Sequence, residues 1–217
     1  MRMNTVLILL ALIAVGATVV GTGSSVPTTL VGQLQRAARL GFGARSSKKQ
    51  ASVAALLNAW EQYGDGDFRK LLYILATAWH ESGLEPIPEK KAAPGTPVWD
   101  LYQYKYWPSG YYGRGFVQLT WKDNYQKMGD LLGIDLVNNP DLALDLDTAA
   151  KIAVYGMMNG SFTGKSLGKY FNATKSDPYN ARYVIAGSKM VNGKDTAKIV
   201  ENHYNTLKSY FPNVGKA

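Results

Sequence analysis

The chain opens on an apolar run and then changes to helical patterning. Residues 6–20 carry no charged side chain, only Gly16, Ala17 and Thr18 soften the run, and Arg2 precedes it. A bilayer-spanning helix takes about 20 apolar residues and a signal-peptide core about 7–15, so this segment falls between the two. A buried core helix would show a polar face, which this run lacks. A cleaved signal peptide, a retained anchor and a weak anchor that later leaves the bilayer all remain open. With no clear small-x-small cleavage site, the expectation is a transmembrane or signal-anchor segment over 1–23. Gly, Ser, Thr and Pro fill residues 21–29 and read as a linker. The spacing then predicts an amphipathic helix over 30–40 displaying Arg36 and Arg39 and ending at Gly41-Phe42-Gly43. Together 24–45 read as a linker and basic segment ahead of a domain spanning 46–217.

Within that domain the 3.6-residue period dominates. Val53, Leu56, Leu57 and Trp60 share one face of a helix over 48–63 that Gly64 stops. Asp65 or Asp67 caps a helix carrying Leu71, Leu72, Leu75 and Ala78. Further helices are predicted over 121–132, stopped by Gly133, and from Asp147 to about 158, with Ala150, Ile152, Ala153 and Met157 inward. Short helices follow over 165–171 and from Asp177-Pro178 to 185. The last long helix, 195–210, has Ile199, His203, Leu207 and Tyr210 on one face. Strand signal is confined to 116–121, where alternation puts Phe116, Gln118 and Thr120 on one face and Val117, Leu119 and Trp121 on the other. The expected class is mainly α with a minimal β element.

Composition narrows the chemistry. The chain has no cysteine, which excludes a disulfide framework and a thiol nucleophile, and only His80 and His203, which argues against a histidine metal site. No metal or cofactor is expected. The formal charge is +8. No Asp or Glu precedes Glu61, whereas Arg2, Arg36, Arg39, Arg45, Lys48 and Lys49 do, so the excess sits near the apolar segment. That suits a solvated face or attraction to anionic lipid or wall polymer. Arg36 and Arg39 on the far side of the apolar run do not clearly orient it toward a cell wall. Aromatic-interleaved basic motifs are missing, so no nucleic-acid partner is expected.

The chemistry-bearing stretch runs through Trp79-His80-Glu81-Ser82-Gly83, a proline-broken loop with Glu89, and Tyr112-Gly113-Arg114-Gly115-Phe116-Val117-Gln118-Leu119-Thr120. Cleaving a glycosidic bond needs an acid for the leaving oxygen and a second group to activate water or attack the sugar. Glu81 ends an apolar helix, where desolvation can raise a carboxyl pKa. An acidic residue there also opposes the helix dipole, so stability alone does not explain it. Pro86 and Pro88 break the helix and let a loop carry Glu89 across a groove. Glu85, close to the helix end, is expected to point outward. The rings of Trp99, Tyr102, Tyr104, Tyr106, Trp107, Tyr111 and Tyr112 suit sugar stacking, although several must be packing. Gly113-Arg114-Gly115 lacks the third glycine of a dinucleotide loop.

These motifs, with Asn124-Tyr125, Asp135-Leu136-Val137-Asn138-Asn139-Pro140, Gly160-Ser161-Phe162-Thr163-Gly164 and Ala181-Arg182, resemble glycoside hydrolase family 19, in particular its chitinase-like phage and bacterial lytic enzymes. The resemblance implies a lysozyme-like, two-lobed helical fold and an inverting mechanism. It makes Glu81 the general acid, Glu89 the base and Thr120 a water-positioning residue. Substrate contacts would come from His80, Tyr112, Gln118 and Asn124, with Arg114 ordering the cleft and Arg182 near the carboxylates. Ala186-Gly187 departs from the Asn-Gly usual after the arginine segment. The implied substrate is peptidoglycan or a chitin-like polysaccharide. The implied settings are a membrane-anchored endolysin facing the periplasm and cell wall, or a virion enzyme among virion proteins. A lytic transglycosylase and a non-catalytic glycan-binding or virion structural protein are the competing expectations.

Overall fold

The computed structural model describes residues 29–191 and 193–214. The expected segment over 1–23 lies outside them. Among the described residues no helix is long and apolar enough to cross a membrane.

Six helices of more than ten residues make the body: α1 (Leu30–Phe42), α2 (Ser47–Tyr63), α3 (Phe68–Ser82), α4 (Lys122–Leu132), α5 (Leu146–Asn159) and α6 (Thr196–Lys208). Capping side chains start most of them. Thr29, Ser46, Asp67, Asp145 and Asp195 each accept a backbone N–H of the first turn, satisfying donors that have no partner inside the helix. The cap of α5 is therefore Asp145, two residues ahead of the expected Asp147. α2 packs on α5, and α3 on α6, around one core that includes Leu56, Leu71, Leu72, Ile74, Ala150, Ala153 and Met157.

Three expectations are corrected by the packing. Leu34, Ala37 and Ala38 of α1 are buried in that same core, and α1 rests on α2 and α6, so the helix ahead of residue 46 packs as part of the compact body. Gln35 donates to the Gln50 carbonyl, joining α1 to α2. The buried face of α6 is Ala197, Val200, Tyr204 and Leu207; of the expected set Leu207 is buried, Ile199 and His203 are only partly so, and Tyr210 lies beyond the helix, exposed. The stretch 116–121 is a turn and not a strand: Arg114 and Leu119 bridge back to back, and Gln118 takes φ 54°. Phe116 and Leu119 both plunge into the core, because a turn frees side chains from strict two-residue alternation.

The β content consists of three two-stranded antiparallel pairs. β1 (Ile87–Pro88) pairs with β2 (Arg114–Gly115). β3 (Phe171–Asn172) pairs with β4 (Lys175–Ser176), and β5 (Met190–Val191) with β6 (Lys194–Asp195). The regions expected as short helices over 165–171 and 177–185 are 3-10 turns at Leu167–Lys169 and Asn180–Val184. Between β1 and β2 rises an arm of mixed helical turns: a π-turn at Trp99–Gln103, one α-turn at Tyr104–Tyr106 and a 3-10 turn at Trp107–Ser109.

Candidate active site

Helix α3 delivers the first carboxylate. Its apolar body anchors it, and Gly83 closes it in the left-handed conformation (φ 64°) with its N–H on the Ala78 and Trp79 carbonyls. Glu81 is thereby held in the last turn, its side chain 18% exposed. Its Oε1 accepts from the Arg182 guanidinium, which is 6% exposed and comes from the 3-10 turn at Asn180–Val184, 101 positions along the chain. The desolvation expected for Glu81 is thus answered by a buried cation. Glu85 turns away and pairs with Lys49 of α2 at 3.7 Å.

The β1–β2 pairing delivers the second carboxylate. Beyond Pro88 the Glu89 N–H donates to the Gly113 carbonyl at 2.7 Å, continuing the ladder by one rung. Three donors then converge on the Glu89 side chain. Gln103 Nε2 and the Tyr106 hydroxyl reach Oε1 at 2.9 and 2.7 Å, and the Gly113 N–H reaches Oε2 at 3.2 Å. Gln103 is 1% exposed and Tyr106 9%. Burial first, and the Glu89 carboxylate second, push the Tyr106 phenol well above the ordinary tyrosine range, so its O–H stays a donor. Gly113 is needed for closeness: a Cβ there would meet Gln118 Oε1 at 2.9 Å and Glu89 Cβ at 3.3 Å.

The turn after β2 brings up the polar side chains. Gln118 Nε2 donates to the Ile87 and Gly115 carbonyls, tying the turn to β1. Thr120 donates to the Gln118 carbonyl at 2.8 Å, and Asn124 Nδ2 donates to the Thr120 carbonyl at 2.7 Å. Gln118 and Trp121 both hold positive φ, at 54° and 77°. Such a backbone costs non-glycine residues on the order of 1–3 kcal/mol each.

Several expected site residues take other places. Arg114 is buried and spent on structure: its Nε pairs with Asp141 at 2.8 Å, its Nη1 reaches the Gly110 and Tyr112 carbonyls and the Tyr125 hydroxyl, and its guanidinium lies over the Tyr112 ring. It orders the loop and offers no donor outward. Tyr112 stacks on Trp107 at 4.3 Å. Burial, only partly offset by Arg114, pushes the Tyr125 phenol up to about 12. His80 is half-buried toward α6, its ring 6.2 Å from that of His203, so it flanks the Glu81–Arg182 pair. Two side chains hold Glu89: Gln103, which the sequence reading does not single out, and Tyr106, which it names only among the stacking or packing rings. Their signal was a three-residue spacing inside a loop where every other ring competed for attention. Among the described residues no His, Asp and Glu group could hold a metal.

With that geometry in view, comparison with known proteins becomes informative. The family model described as chitinase class I, of glycoside hydrolase family 19, matches residues 91–183, which include the arm, the turn and Arg182. That stretch of the chain, a little under half of it, is similar to glycoside hydrolase family 19. Chitinase 11 of Oryza sativa subsp. japonica is 75% identical over 32 residues, 15% of this chain and 12% of that protein. The inactive chitinase-like protein 1 of Hevea brasiliensis is 49% identical over 53 residues, 24% of this chain and 17% of its own length. The matches thus span less than a fifth of these two relatives. Chitinase C from Streptomyces griseus HUT6037 shares the fold at a TM-score of 0.55 and 23% identity, over 82% of this chain and 76% of its own. A bacterial family 19 chitinase aligns at a TM-score of 0.50 and 24% identity, over 84% and 95%.

Proposed function

We propose that the chain is an inverting glycoside hydrolase that cleaves β-1,4 bonds between N-acetylated amino sugars, in peptidoglycan or a chitin-like polymer. One observation carries the reading: two carboxylates from separate elements meet different partners. Glu81 faces one buried cation, Arg182, whereas Glu89 is held by three donors, two side chains and a backbone N–H. Glu81 is the acid. It takes up a proton when an entering sugar loosens its contact with Arg182, and passes that proton to the leaving oxygen. Glu89 is the base. Its Oε1 is occupied by Gln103 and Tyr106, so Oε2, with only the Gly113 N–H, is the oxygen that receives the proton of the attacking water. Thr120 points its hydroxyl hydrogen at the Gln118 carbonyl, which leaves its oxygen lone pairs to accept from that water.

In this reading the natural setting is bacterial wall lysis by a phage-type lysin, membrane-held through residues 1–23 or packaged with virion proteins. The apolar run and the surplus of cations around it support this setting. A second reading, a glycan-binding protein without turnover, draws on the inactive chitinase-like relative. Zymography on purified peptidoglycan and on chitin, wild type against Glu81→Gln, tests both. Clearing by the wild type and a loss of at least about 100-fold in the variant is expected for a lost general acid. Equal clearing by both proteins would remove Glu81 from the mechanism, and clearing by neither would favour the binding protein. Anhydro-sugar products would point to a transglycosylase.

A further inference from the structure

The rings around the site are not equivalent. Trp107 and Tyr112 are stacked on each other, Tyr111 is pinned edge-on to Tyr125 with its hydroxyl on the Val137 carbonyl, and Tyr106 is buried behind Glu89. Trp121 differs in being 46% exposed while its backbone is locked. Its φ and ψ of 77° and 136° are conformations an indole-bearing residue rarely adopts. Its N–H donates to the Tyr111 carbonyl, and its own carbonyl accepts from the N–H groups of Asn124 and Tyr125. The backbone therefore fixes where the Trp121 side chain leaves the chain, next in sequence to Thr120. It meets the Tyr106 ring edge to face at 5.1 Å and 71°. One ring thus stands between Trp121 and Glu89.

We propose that Trp121 is a sugar-stacking platform of the cleft and, by buttressing Tyr106, couples occupancy of that platform to the placement of Glu89. The inference rests on the glycosidase reading. The apolar face of a pyranose suits an indole ring, and an exposed ring on a hydrogen-bonded backbone, packed on one edge by Tyr106, loses less conformational freedom when covered than a free one. Tyr106 acts only through Glu89, which makes it a positioning residue. Without the indole beside it, its hydroxyl loses the packing that aims it at Oε1. Binding and turnover should therefore respond differently at the two positions.

The test uses the full chain and the β-1,4-linked hexamer of N-acetylglucosamine. Affinity is measured by calorimetry in a Glu81→Gln background, where turnover is suppressed, and kcat in the active background. Trp121→Gly, whose new residue accepts the positive φ, should weaken binding about ten-fold and also lower kcat. Trp121→Phe, which keeps a ring, should restore affinity to within about three-fold of the wild type. Tyr106→Phe should leave affinity within about two-fold and lower kcat about ten-fold, because it removes a hydroxyl that only the base feels. Wild-type affinity in Trp121→Gly would overturn the platform. An unchanged kcat in Tyr106→Phe would overturn the coupling. Full turnover in the Glu81→Gln background would instead overturn the assignment of the acid, and the affinities of the Trp121 variants would still be readable.

Discussion

Arg182 shows how much a single side chain can decide. It is almost fully buried, its charge is met by Glu81, and its Nε has no hydrogen-bond partner among the described residues. Arg182→Met removes the cation and leaves a partly desolvated carboxylate. The expected loss of stability is up to about 3 kcal/mol, read as a lowered denaturation midpoint. Gly113→Ala tests a different quantity. The added methyl drives Gln118 and Glu89 apart, so kcat should fall about ten-fold with little change in melting temperature, measured on any hydrolysed substrate. Residue-level legibility followed the same division. Glu81, Glu89, Gln118 and Thr120 stood out because their types and order are tied to a motif. Gln103 and Tyr106 did not, because their role depends on the π-turn at Trp99–Gln103 and the α-turn that follows it, and that geometry leaves no mark in composition. Arg114 was legible as important but not as internal, since burial of an arginine depends on partners as distant as Asp141.

At the level of elements, capping residues and apolar spacing foretold α2, α3, α4 and α5 closely, because helix ends are written locally. The turn over 116–119 was misread because Phe116, Leu119 and Trp121 can satisfy an alternating pattern while the backbone reverses. The phase of α6 was misread because His203 can sit at a core boundary. That boundary, the α3–α6 seam, supplies a pH prediction. His203 lies edge to face with Phe42 at 5.5 Å and beside His80, and His80 in turn lies beside Glu81 and Arg182. Burial pushes both imidazoles below the ordinary histidine range. At His80 the Glu81 charge opposes that shift and Arg182 adds to it, and His80 in turn lowers His203. As the pH falls past about 6.5 the unfolded chain takes up these protons first, so stability drops there. Melting temperature should therefore fall between pH 7 and pH 5, and His203→Gln should flatten that fall. An unchanged slope in the variant would show that other groups cause it.

For the whole molecule the structure moves a boundary. α1 packs into the core, which the basic, linker-like look of 24–45 concealed, because its buried positions are one leucine, Leu34, and the small Ala37 and Ala38, with Ala44 just beyond the helix. A chain begun at residue 29 should melt within a few degrees of the full chain, whereas one begun at residue 46 should lose on the order of 5 kcal/mol. Denaturant titration of the three lengths checks this, and equal midpoints would return the boundary to 46. The β1–β2 pair and the arm also act at this scale, since they hold Glu89 as a unit distinct from the helix that holds Glu81. Two carboxylates on separate supports, with water activated by one and the leaving group protonated by the other, predict a defined stereochemical outcome. Proton NMR of the first sugar released from the N-acetylglucosamine hexamer reads it directly. The account predicts that the new reducing end appears as the α-anomer and only later mutarotates; a β-anomer appearing first would contradict it.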